Sequence, residues 1–150
     1  MKKSMLVHAT AIAIGGSAVL LRGPSGSGKS DLALRLIDGG AWLIADDQAE
    51  LRREANGVLA RSPATIAGLL EVRGIGILRV DALAEAPLRL CVDLVPPGTV
   101  ERLPAGSFVE FFALPVPRIA LAAFEASAAA KIRLALRAFS TEPLPAILRT

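Results

Sequence analysis

Residues 23 to 30 read Gly-Pro-Ser-Gly-Ser-Gly-Lys-Ser, and these residue types at this spacing can hold a phosphate chain. Gly23, Gly26 and Gly28 let successive backbone N–H groups turn inward around an anion, where larger residues would block its approach. Pro24, Ser25 and Ser27 complete the loop. Lys29 can reach the outer phosphates, and the Ser30 hydroxyl can ligate Mg²⁺. A helix beginning near Lys29 would aim the positive end of its dipole at the same anion. The competing reading is a flexible glycine turn, and an apolar strand before the loop with a helix after it counts against that.

Phosphoryl transfer from such a loop needs a metal and a base, both jobs for carboxylates at the end of a neighbouring strand. Asp46 and Asp47 follow the apolar run Trp42-Leu-Ile-Ala45 and occupy such a place. Adjacent carboxylates on an extended chain point to opposite faces. One would face the phosphate, while the other ligates metal through water or caps a turn. Two solvated turn residues are the alternative. In the stretch LLEVRGIGILRV, residues 69 to 80, Glu71 and Arg73 share one face if extended, and Gly74 and Gly76 leave room for a ligand or another backbone. A Glu-x-Arg pair is as readily a surface ion pair. His8, inside an apolar run, reads by its residue type as a packed strand histidine.

These side chains need a scaffold. Residues 5–14 and 17–22 form two strands joined at Gly15-Gly16, a dipeptide suited to a two-residue hairpin. Leu32, Leu36 and Ile37 recur at helical spacing, and Gly39-Gly40 stops that helix. AWLIADD is a buried strand ending in two acids, and Asn56-Gly57 centres a second hairpin. ILRVDAL and LRLCVDLV are further strands, Pro96, Pro97 and Pro104 mark a loop, and Ile119 to Phe139 is a helix. The tail TEPLPAILRT is extended. The pattern is a mixed α/β domain around a strand, loop and helix, with residues 1–150 as one domain.

Bulk composition narrows the function. A chain of 150 residues, 53% hydrophobic and 21% charged, matches one globular domain. A net charge of +3 with scattered arginines argues against a nonspecific nucleic-acid binder but suits local neutralisation of phosphate. The lone cysteine, Cys91, has no disulfide partner, fits a reducing compartment and reads as a core residue. The basic, then apolar, start resembles a secretory leader, but His8, Thr10 and Gly15-Gly16 interrupt it, and no other segment is long enough to span a bilayer.

Taken together, His8, GPSGSGKS, LIADDQ and LEVRGIGIL occur in the order that characterises the catalytic domain of the HPr kinase/phosphorylase family, which the chain resembles over its first two thirds. The resemblance implies the P-loop fold of the HPr kinase/phosphoenolpyruvate carboxykinase type, a mixed sheet with flanking helices. It implies a cytoplasmic, hexameric enzyme that uses ATP and Mg²⁺ to phosphorylate a serine of HPr, the phosphocarrier protein of the sugar phosphotransferase system. By position, Asp46 would be the general base, and in the reverse direction, when phosphate attacks phosphoserine, the acid. Lys29 would bridge phosphates, Ser30 and Glu71 would hold Mg²⁺ with Asp47 beside them, and His8 would stand near the reacting group. Arg102, in TVERLP, best fits the arginine expected to offset charge on the transferred group.

Two departures stand out. Family members carry another domain before the catalytic one, and the segment associated with dephosphorylation is here PVPRIAL, keeping only Pro115, Val116 and Arg118. The resemblance therefore favours the kinase direction. Rival readings are a small-metabolite kinase, which would need an arginine-rich lid not visible here, and a nucleotide-sensing regulator with weak hydrolysis. A GTP switch is disfavoured, because Asn56, the one asparagine, is followed by Gly57 and cannot begin Asn-Lys-x-Asp.

Overall fold

A computed structural model describes residues 3–63 and 67–139. Its organising element is the strand β9 (Glu85–Leu94). The first half alternates exposed and buried residues, whereas Leu90, Cys91 and Val92 are all buried. The change has a topological cause. Near residues 85–87 β9 pairs antiparallel with β6 (Gly57–Arg61), but at residues 91–94 it pairs parallel with β11 (Leu114–Leu121). Its other edge pairs parallel with β3 (Ser17–Arg22). Strands covered on both faces carry continuous apolar runs, as β9 does at Leu90-Cys91-Val92.

Beyond β3 the sheet continues through β2 (Ala9–Ile14) to β4 (Trp42–Ala45), and beyond β6 through β5 (Ala49–Glu54) to β1 (Ser4–Val7). Val19 and Leu21 of β3 point to one core with Leu32 and Leu36 of α1 (Lys29–Asp38) and Ile132 and Leu136 of α2 (Ala128–Phe139). Ala18 and Leu20 point to a second core, closed by Leu51, Val58 and Ala60 of the β5–β6 hairpin and by Phe111 and Val116. Phe111 ends β10 (Ser107–Phe111), the antiparallel partner of β11. Cys91 lies in this second core, where burial pushes its thiol pKa up to about 12. The mixed sheet with flanking helices is the expected α/β architecture.

Local punctuation matches the residues. Gly15 and Gly16 turn the β2–β3 hairpin with φ of 57° and 82°, a region costly for other residues. Gly39 caps α1 because the Arg133 guanidinium occupies the space a Cβ would need while donating to Leu36 O at 3.1 Å.

Several expected boundaries shift. The strand expected over 5–14 breaks at His8, so β1 pairs with β5 and β2 with β3. Glu54 pairs with Gly57, making Ala55-Asn56 the turn one residue early, because this register sets Leu51 opposite Ala60 on the core face. Ile119–Leu121, expected as helix, is strand: Ile119 to Leu121 pair with Val92 to Leu94, and helix begins only at Ala128. Ladder pairing overrides the helical spacing there. The strand expected over ILRVDAL is β8 (Gly76–Arg79), which pairs with β7 (Leu69–Val72), after which Asp81 O and Leu83 N–H bond to Leu43 on the outer edge of β4. Trp42 is exposed at the start of β4. The expected extended tail lies outside the described residues.

Candidate functional site: a phosphate loop between two strand pairs

β3 ends at Arg22, and the loop that follows is a compact turn with Ser27 N–H bonded to Pro24 O at 3.0 Å. Gly26 and Gly28 take φ of 84° and 100°. The first helical bond of α1 is Leu32 N–H to Gly28 O at 2.9 Å, so the N–H groups of Lys29, Ser30 and Asp31 open the helix without intrahelical partners. No side chain caps this terminus. Lys29 is only 6% exposed, and its ammonium is held across the loop by Gly23 O at 2.7 Å and Pro24 O at 3.2 Å. A buried cation, free amides and a helix N-terminus together form an anion site. Buried Ser27 Oγ has no hydrogen-bond partner, a further sign of a loop built around a polar guest.

The acids lie on the β2–β4 side of the loop. Ser30 Oγ donates to Asp46 Oδ1 at 2.8 Å, and Thr10 Oγ1 donates to the same oxygen at 3.3 Å. The Glu71 backbone N–H donates to Asp46 Oδ2 at 3.2 Å. β4 stops at Ala45, and Asp47 takes a left-handed φ of 64°, so the acids part by a turn rather than by strand alternation. Asp47 N–H bonds to Thr10 Oγ1 at 3.1 Å, and its Oδ1 lies 2.8 Å from His8 Nε2. Thr10, fully buried, thus touches both acids, a role sequence reading missed. The signal was available: a hydroxyl interrupting a buried strand must find a partner.

Glu71 and Arg73 are both exposed, while Leu70 and Val72 of β7 pack into the helical core. Glu71 meets Asp46 through its backbone. Gly74 and Gly76, with φ of 92° and 127°, shape the β7–β8 turn. Among the described residues no three His, Cys, Asp or Glu side chains converge as a metal cluster. Mg²⁺ commonly takes one or two protein oxygens and completes its shell with phosphate and water, so the Ser30 hydroxyl beside a carboxylate fits it. Arg102 is exposed on the segment before β10 and makes no hydrogen bond or ion pair among the described residues.

Arg22, at the last strand position before the loop, pairs with Asp93 through Nε at 2.7 Å and Nη2 at 3.1 Å, and Arg118 Nε also donates to Asp93. Burial alone would raise the Asp93 pKa, but the hydrogen bonds and charges of Arg22 and Arg118 outweigh it and hold the carboxyl below its usual range. The cluster clamps β3, β9 and β11 together directly beneath the loop. Arg118 is therefore tied to Asp93.

The fold and site define a phosphate-loop α/β domain with an acid pair beside the loop. A model of the HPr Serine kinase C-terminal domain matches residues 1–94, and the chain belongs to that family. It is 46% identical over 96 residues to an HPr kinase/phosphorylase of Halalkalibacterium halodurans, covering 59% of this chain and 31% of the relative. It is 38% identical over 126 residues to an HPr kinase/phosphorylase of Burkholderia lata, covering 77% and 39%. The chain thus spans well under half the length of these relatives. In three dimensions it matches the HPr(Ser) kinase/phosphatase of Coxiella burnetii with a TM-score of 0.79 at 27% identity, covering 89% of this chain and 88% of that one.

Proposed function

We propose that the chain is an ATP-dependent protein serine kinase domain acting on HPr. The observation that carries this is the Asp46 carboxylate 2.8 Å from the Ser30 hydroxyl, at the end of a phosphate loop with a buried lysine. The names of the relatives, each an HPr kinase with a phosphorylase or phosphatase function, supply the acceptor. Bound MgATP would supply the transferable phosphoryl group and the cation that offsets its charge.

The chain's own residues then have distinct tasks. The amides of residues 29–31 and the Lys29 ammonium bind the phosphates, and Ser30 is the oxygen donor beside them that would hold the cation, with Glu71 and Asp47 the further donors that the family resemblance implies. Asp46, held by three donors, takes the proton of the acceptor serine as its oxygen bonds to phosphorus, and ADP leaves. In the reverse direction inorganic phosphate attacks the phosphoserine phosphorus, pyrophosphate forms, and protonated Asp46 gives its proton to the departing serine oxygen. His8 and Asp47 flank the reacting group, and Arg102 would offset its charge from the β10 side. An open site favours a protein acceptor over a small metabolite: the His8 and Asp47 side chains are 55% and 65% exposed, and Ile75 and Ile77 of the adjoining hairpin are exposed too. The oligomer would be a hexamer by family resemblance, and the compartment the cytoplasm.

Incubating the protein with Mg²⁺, γ-labelled ATP and HPr is expected to label a serine. Asp46→Asn should abolish labelling while ATP still binds. Loss of transfer in Asp47→Asn but not in Asp46→Asn would move the base to Asp47, and label on a metabolite instead of HPr would overturn the proposed acceptor.

A further inference from the structure

β3 delivers the loop between two unlike neighbourhoods. On the β2–β4 side stand His8, Thr10, Asp46 and Asp47. On the β9–β11 side the loop borders a cleft of about 300 Å³, at the small end of ligand-sized sites. One wall is Pro24 to Ser27, and another is the chain leaving β9, including Val95, Pro96 and Pro97. The third is the β11–α2 connection, ending in Phe124.

Phe124 is 69% exposed, yet its setting is fixed. Arg35 of α1 donates to Ala123 O and, at 3.1 Å, to Glu125 O, so both neighbours of Phe124 are clamped to the helix that begins at the loop. Lys131 holds the Glu125 side chain at 3.1 Å. A Cβ at Gly28 would lie 2.7 Å from Ala123 Cβ and 3.0 Å from Phe124 Cζ, so the ring is already against the loop. An aromatic face pinned in the open beside an anion site is suited to stacking on a flat ring attached to that anion. No charged, amide or imidazole side chain lines the cleft to read the ring's edge, and three of its wall residues, Pro24, Pro96 and Pro97, are prolines without N–H groups.

We propose that this cleft takes the nucleotide's base, held by stacking on Phe124 and by the apolar proline wall, with little discrimination between adenine and guanine. The proposal rests on the phosphate-loop reading, and it sends the polyphosphate from the cleft across the loop toward Ser30 and Asp46.

Calorimetric titration of ATP, GTP and inorganic tripolyphosphate, each with Mg²⁺, tests it. Wild type should bind ATP and GTP within roughly threefold of each other, as expected where no charged, amide or imidazole side chain reads the edge. Phe124→Ala should weaken both nucleotides by roughly 5- to 100-fold, the effect of losing one base–aromatic stack, while leaving tripolyphosphate unchanged. Phe124→Trp should restore nucleotide affinity, which also controls for folding. Equal weakening of tripolyphosphate would show that Phe124 only props Gly28 and would overturn the proposal, as would unaltered ATP binding or a strong preference for one base. Wild type that binds neither ATP nor tripolyphosphate would overturn the phosphate-loop reading itself.

Discussion

Thr10 decides what the acid pair can do. Its single hydroxyl gives its proton to Asp46 Oδ1 and accepts the Asp47 N–H, so it fixes one carboxylate against Ser30 and holds the left-handed turn that carries the other to His8. Thr10→Val keeps the shape and removes both bonds. We expect kcat for HPr phosphorylation to fall on the order of tenfold through loss of positioning, with ATP affinity little changed, and Thr10→Ser to recover most of it. A matching fall in nucleotide affinity would mean that Thr10 supports the loop rather than the acids. The identity of the acids was legible from two carboxylates closing an apolar strand. Their division of labour was not, because it depends on a positive φ at Asp47 that an extended-strand argument cannot supply.

Among elements, the β7–β8 hairpin is the least explained by packing alone. Leu70 anchors it in the helical core and the Glu71 N–H ties it to Asp46, yet Ile75 and Ile77 at its tip are 71% and 67% exposed. Its far end is fastened where Leu43 bonds to Asp81 and Leu83. With HPr as the proposed acceptor, a hairpin rooted at the base and apolar at the tip would be a surface for it to meet. Replacing Ile75 and Ile77 together by Asp should therefore raise KM for HPr at least several-fold without altering ATP binding, measured in the labelling assay. An unchanged KM would make the tip plain surface. The EVRGIGI stretch announced this element by its composition, and its glycines build the turn with φ values only they adopt cheaply while the space beside them stays open.

At the scale of the molecule, the loop stands on a clamp of three strands. Asp93 of β9 binds Arg22 of β3 and Arg118 of β11, and removing it would leave two guanidinium groups facing each other. Asp93→Asn should cost about 2 kcal/mol in urea denaturation at neutral pH, less than for a fully buried pair because the arginines are a third exposed. Because the folded carboxyl titrates below its unfolded value, its stabilisation is complete above the usual carboxylate range and fades as pH falls through that range towards the depressed folded value. The wild type should lose stability over that window, and Asp93→Asn should lose less. Equal acid slopes would show that the clamp contributes nothing. By itself the sequence determined the loop, the helix behind it, the Gly15-Gly16 turn and the α/β class, because each is written in neighbouring residues: backbone conformations that favour glycine, or an apolar period of fixed length. Only tertiary structure decided that Ile119–Leu121 joins the sheet, that Arg22, Asp93 and Arg118 meet, and that Thr10 serves two acids. Those facts rest on strand order and register, which bring together residues tens of positions apart, and no local pattern encodes such pairings.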